Sequence, residues 1–283
     1  MPKLQRVLNG FKWMEMATKD GRLRLPLTHK ILGNVIDTKW RLFREAKAAA
    51  QAAGEQFEYP SIYSMDHPAT AAAVYSSASC HFCRPGEISV RNTSKGVVTT
   101  PLLLEHHQFL YDGVDADGKK ILMGQVINFP STKTDPYGER SDRVAGLIPG
   151  SSVCATTNTV KYLHFRRDPR GGNEQLAKTN LMFPIDDGKG GLRPLSYEDL
   201  VDAMQRDLKA AGYDASHYKG HSFRIGAATS MALNGVPDHV IKDMGGWSRN
   251  STAFNAYFGR APQELRVRMS GENQSHITRC FSK

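Results

Sequence analysis

The chain has 283 residues, 40% of them apolar and 23% charged, which is enough length and apolar content for a sizeable core. No run of eighteen apolar residues occurs, and the segment from Met1 to Trp13 lacks the apolar stretch of a secretory signal, so neither a spanning helix nor an export leader is expected. Four cysteines are too few for a disulfide scaffold, and the net charge of +9 calls for an anionic partner. That charge is uneven: residues 1–50 hold eleven Lys or Arg against four acids, which is +7 of the +9.

Residues 2–19 predict an amphipathic basic helix with Leu4, Val7, Leu8, Phe11 and Met14 on one face. Arg22-Leu23-Arg24-Leu25-Pro26-Leu27-Thr28 reads as extended, because Pro26 keeps Leu25 out of helical angles. Thr28 then caps a helix over roughly 29–50. After a polar connector at 51–61, Asp66 is the expected cap of a helix running from Pro68 through Cys83 and ending near Arg84-Pro85-Gly86-Glu87. Cys80 and Cys83 form a CxxC without a second pair at ligand spacing, so they read as two cysteines beside a core and no metal site is expected.

Three strand-like segments follow: Ile88–Val90, Leu102–Tyr111 and Lys119–Phe129, with Asp117-Gly118 turning the last two into a hairpin. His106 and His107 are adjacent in a strand and face opposite ways, so they cannot share a metal. Lys133 lies in Ser131-Thr132-Lys133-Thr134-Asp135 just beyond the hairpin, and residues 137–154 read as irregular. Thr156–Arg167 predicts a helix with Val160, Leu163 and His164 on one side and Lys161, Arg166 and Arg167 as its basic residues. Leu181–Ile185 is a short strand. Ser196, with Asp199 three residues on, opens a helix whose inner face is Leu200, Met204, Leu208 and Ala211.

The densest stretch is His221-Ser222-Phe223-Arg224 through Tyr257. His221 and Arg224 sit one turn apart at the start of a helix of small and apolar residues. Asn234-Gly235 stops that helix, Val236-Pro237-Asp238 starts another, and Gly245-Gly246-Trp247 closes it. Tyr257 follows ten residues after Trp247. On composition alone this is a packed helical hairpin with a surface histidine and arginine.

The order of the boxes says more. Arg24–Leu32 (R-L-P-L-T-x-x-I-L), Phe82–Glu87 (F-C-R-P-G-E), Ser131–Asp135 and the HxxR-to-tyrosine stretch together resemble the tyrosine recombinase, or phage integrase, family over roughly residues 22–260. The wording of His221–Trp247 is similar to crypton-type recombinases of eukaryotic mobile elements. The resemblance implies an α+β fold, mostly helical, with a small antiparallel three-stranded sheet. It implies residues 1–27 as the basic remnant of a core-binding domain, 28–260 as the catalytic domain and 261–283 as a tail. It also implies double-stranded DNA as partner, a homo-oligomer (a tetramer on DNA), no membrane, no cofactor, and the nucleus or nucleoid as the place of work.

Metal-free cleavage of a phosphodiester needs an in-line nucleophile, cations for the non-bridging oxygens and an acid for the leaving oxygen. The resemblance assigns Tyr257 as nucleophile, and Arg84 and Arg224 as the cations, whose planar forks match a phosphate. His221 becomes a further donor and a proton acceptor from Tyr257, Trp247 an indole donor, and Lys133 the acid. Glu87 would orient Arg84 from behind, and Arg22, Arg24 and Lys30 would contact DNA. One departure concerns Tyr257, which the family usually places nine residues past the tryptophan. A degenerate relative that binds DNA without cutting it, a type IB topoisomerase, and a plain protein-interaction module are the alternatives.

Overall fold

A computed structural model of the chain describes residues 24–93, 96–97, 100–130, 142–167 and 179–248. At its centre is a helix of small residues, α2 (Pro68–Cys80), following the longer α1 (His29–Ala52). Residues 68 to 79 of α2 are all buried, because α1, α4 (Ala155–Arg167) and α6 (His221–Leu233) pack around it. A helix covered on all sides has no polar stripe, and alanine and serine let its neighbours approach closely.

α1 is half-covered and shows the one-sided pattern instead, burying Leu32, Val35 and Ile36. Thr28 caps it through its hydroxyl, as the sequence suggests. The segment before it is extended and lies on α6: Leu27 N–H donates to the Ser222 carbonyl at 3.0 Å, and a β-carbon on Gly226 would overlap the Leu27 backbone. Lys39 and the Tyr75 hydroxyl both reach Asp207, at 2.6 and 2.8 Å, tying α1 and α2 to α5 (Tyr197–Ala210). α5 opens with the expected reciprocal cap between Ser196 and Asp199, and its face of Leu200, Met204 and Leu208 is buried.

Between α2 and α4 come the one-turn α3 (Pro85–Ile88), the pair β1 (Asn92–Thr93) and β2 (Gly96–Val97), and the main sheet. That sheet is antiparallel in the order β3 (His107–Val114), β4 (Lys120–Asn128), β5 (Asp142–Gly146). The β3–β4 hairpin turns through Gly118, whose φ is +75°. A second small pair, β6 (Pro184–Asp186) with β7 (Leu192–Pro194), leads into α5. α7 (Asp238–Gly245) follows α6 and packs back on β5. The α+β expectation of a mostly helical fold with one three-stranded sheet holds.

Several boundaries differ, each for a physical reason. The cap of α2 is His67, not Asp66: with Pro68 in the first helical position the residue directly before it takes the cap, and its Nδ1 accepts from the Ala69 N–H. Burial first, and the nearby Lys39 second, lower the His67 pKa to about 4, which keeps that nitrogen an acceptor. α2 ends at Cys80 rather than Cys83. The third strand is β5, within the stretch read as irregular, while Ile88 closes α3 and Val90 makes only an isolated bridge to Ser196. The strand expected from Leu102 starts at His107, and His106 sits in a 3-10 turn. The short strand after α4 is Pro184–Asp186 rather than Leu181–Ile185. On α4 the inner face is Thr156, Thr159, Tyr162 and Arg166, so Arg166 is buried while Val160 is exposed.

Candidate active site

The site grows from the turn that ends α2. Phe82 has a left-handed φ of 52°, a conformation that costs a bulky residue about 1–3 kcal/mol unless its surroundings enforce it. Here they do. Its ring packs with Ala227, Ala228 and Ile241 and stands edge-on to Trp247 at 5.8 Å. Its carbonyl accepts from two arginines, Arg143 at 3.2 Å and Arg224.

Arg84 follows two residues later as the cap of α3. Its backbone N–H donates to Glu87 Oε2 at 2.6 Å and its Nη1 to Oε1 at 3.0 Å. Arg84 is half-buried, with 23% of its side chain exposed, so its guanidinium reaches solvent while Glu87 does not. Glu87 also takes a two-pronged bond from Arg143, Nη1 to Oε2 at 2.8 Å and Nη2 to Oε1 at 3.0 Å. Burial by itself would push the Glu87 carboxyl up. The bonds and charge of Arg143, with the N–H and charge of Arg84, outweigh it and hold the group below the usual carboxylate range.

Arg224 projects from the first turn of α6 and is fully buried. Nη1 donates to the Phe82 carbonyl, Nη2 donates to the Gly245 carbonyl at 2.6 Å, and the guanidinium carbon lies 3.9 Å over the Trp247 ring. A cation on a desolvated indole face gains about 2 kcal/mol. His221 is the first residue of α6 and half-buried, at a helix end whose backbone dipole favours anions.

Arg84, Glu87, Arg224 and Trp247, picked out from the sequence, are thus joined in one hydrogen-bonded and stacked network, with His221 on the same helical turn as Arg224. Lys133, Tyr257 and Arg22 lie outside the described residues. Arg24 and Lys30 are exposed on either side of the Thr28 cap. Cys80 is half-buried and Cys83 buried, and burial pushes both thiols up, Cys80 to about 12. Sequence reasoning missed Arg143. Period-2 alternation would have pointed the wrong way, since in β5 the apolar Val144 faces out and the arginine faces in.

Among the described residues, the guanidinium groups of Arg84 and Arg143 meet on the Glu87 carboxylate, and that of Arg224 joins Arg143 at the Phe82 carbonyl. Planar arginine forks placed this close together suit a bound anion with paired acceptor oxygens.

Comparison with known proteins bears on the identity. Residues 162–264 match the Phage integrase family model. No curated protein sequence matches the chain. Among solved structures, a XerH site-specific recombinase bound to a palindromic difH substrate, in a post-cleavage complex, is similar with a TM-score of 0.50 at 14% identity. The match covers 87% of this chain and 53% of that one, so the chain spans about half the length of that relative. A pre-cleavage complex of XerH on difH gives 0.49 at 14% identity, with 87% and 53% covered. Residues 162–264 are thus similar to the phage integrase family, and the chain shares the fold of a solved site-specific recombinase.

Proposed function

We propose that the chain is a site-specific DNA recombinase that cuts and rejoins double-stranded DNA through a 3′-phosphotyrosyl link, using neither metal nor ATP. The observation that carries this reading is the cationic network: Arg84 and Arg224 are held by Glu87, the Phe82 carbonyl and the Trp247 face. Two arginine forks supply the charge neutralisation that a phosphodiester needs as its non-bridging oxygens gain charge. In this reading Tyr257 attacks the phosphorus, Lys133 protonates the departing 5′ oxygen, and His221 and Trp247 donate to the phosphate. Arg22, Arg24 and Lys30 hold the DNA backbone, and copies of the chain assemble as a tetramer on DNA. The covalent link conserves bond energy, so a second 5′ hydroxyl reverses the step. Kinship with crypton-type elements and work in the nucleus or nucleoid belong to the same proposal.

The test uses a nicked suicide duplex carrying a site selected from random sequence by binding to this chain. The native protein should form a slower-migrating covalent adduct, in EDTA as in magnesium. Tyr257→Phe should form none and still bind. An adduct with Tyr257→Phe would move the nucleophile elsewhere, and loss of cleavage in EDTA would overturn the metal-free mechanism. Binding without any adduct from the native chain would favour the DNA-binding relative, a reading that the ten-residue spacing before Tyr257 supports.

A further inference from the structure

We propose that Arg143 is a positioning residue for DNA cleavage, acting by fixing Glu87 and, through Glu87, the orientation of Arg84. The inference rests on the recombinase reading of Arg84 given above. Arg143 is 8% exposed, and three sets of contacts hold its guanidinium. The face stacks on the buried Phe129 ring at 4.8 Å, Nη1 donates to the carbonyls of His81 and Phe82 at 3.0 and 3.2 Å, and both terminal nitrogens grip the Glu87 carboxylate. A fork so placed leaves the carboxylate one orientation. Arg84 binds the same two oxygens, Oε2 with its backbone and Oε1 with its side chain, so it inherits that orientation.

Arg84 has no comparable frame of its own. It is half-buried, and an arginine held by one contact keeps most of its rotamer freedom. Arg143 sits in β5, where Ile127 is its register partner and inward alternation aims it at the α2–α3 turn. Asn128 pairs with Asp142 directly beside it, so the strand end that Arg143 anchors is also the foot of the segment that holds Lys133. One side chain therefore ties the sheet to the turn that carries Arg84.

The test compares Arg143→Lys, Arg143→Gln, Arg84→Ala and the double variants with Arg84→Ala. It measures thermal unfolding, DNA affinity and the single-turnover rate of adduct formation on saturating suicide duplex. Lysine keeps the charge but cannot make the fork. Arg143→Lys should fold and bind DNA, yet form adduct about a hundredfold more slowly, the scale of a 1 Å misplacement. In the Arg84→Ala background the same change should cost less than about threefold, because a residue that acts through Arg84 has nothing left to orient. A merely structural role would subtract equally from both backgrounds. Equal losses in the two backgrounds, or wild-type rates in Arg143→Lys and Arg143→Gln, overturn the proposal. Should Arg143→Gln fail to fold, Arg143→Lys carries the test. Should the native chain form no adduct, the recombinase reading fails separately, and the crystal structure of Arg143→Lys decides this inference. Arg84 displaced from Glu87 is expected there, and Arg84 still bonded to Glu87 overturns it.

Discussion

Replacing Gly245 with alanine separates the geometry of the Arg224–Trp247 contact from the stability of the helix that carries it. Gly245 is the last residue of α7, and the Trp247 ring lies so close over it that a β-carbon there would overlap the indole. The indole must move, and with it goes the face on which Arg224 rests at 3.9 Å. Losing that desolvated contact costs about 2 kcal/mol, or roughly thirtyfold if the whole cost falls on the cleavage step. The helix itself gains about 1 kcal/mol from alanine over glycine, which offsets part of the strain. The melting temperature should therefore shift by less than about 4 °C while the adduct forms roughly thirtyfold more slowly. Tryptophan emission gives an independent reading, because only three tryptophans contribute and Trp247 is the one displaced. Trp247→Ala, which removes the face outright, should be at least as slow as Gly245→Ala. Unchanged emission together with a wild-type cleavage rate in Gly245→Ala would refute the reasoning, since the indole would not be seated where the contact requires it.

If Lys133 is the acid, Lys133→Ala should cleave ordinary DNA poorly but DNA with a bridging 5′ sulfur nearly as well as wild type, because a thiolate of pKa about 8.5 leaves without a proton. Arg84→Ala and Arg224→Ala should not be rescued; a Lys133→Ala that stays slow on the sulfur substrate would give that residue a different role. Neutralising Arg22, Arg24 and Lys30 together should weaken binding on all sequences and reduce the salt slope by about 3, and an unchanged slope would remove them from the DNA contact. Glu87 has a depressed folded-state pKa, so the stability it contributes is present above its unfolded pKa of about 4.3 and is lost as pH falls through the folded value. The gap in melting temperature between wild type and Glu87→Gln should be widest near neutral pH and shrink as pH drops below about 4. A gap constant with pH would show that the carboxylate charge does not stabilise the fold.

Local chemistry in the sequence determined the helix starts and stops. Thr28, the Ser196–Asp199 pair, Asn234-Gly235 and Pro237-Asp238 all mark helix ends within a residue or two, because caps and breakers act through the backbone within one turn. The HxxR turn and the FCRPGE stretch were legible for a similar reason, since each lies within one short run of chain. Contacts between runs of chain were not legible. Nothing near Arg143 in the sequence says that it faces inward; that follows from pairing β5 with β4 and from a carboxylate 56 residues away that can receive its fork. The same holds for Arg166, a basic residue in an apolar neighbourhood, buried on α4 where carbonyls of Leu181 and Met182 accept from it. Hydropathy patterns assume that buried positions are apolar. A buried arginine breaks that rule wherever the fold brings acceptors to it, and only the tertiary structure decides where that happens.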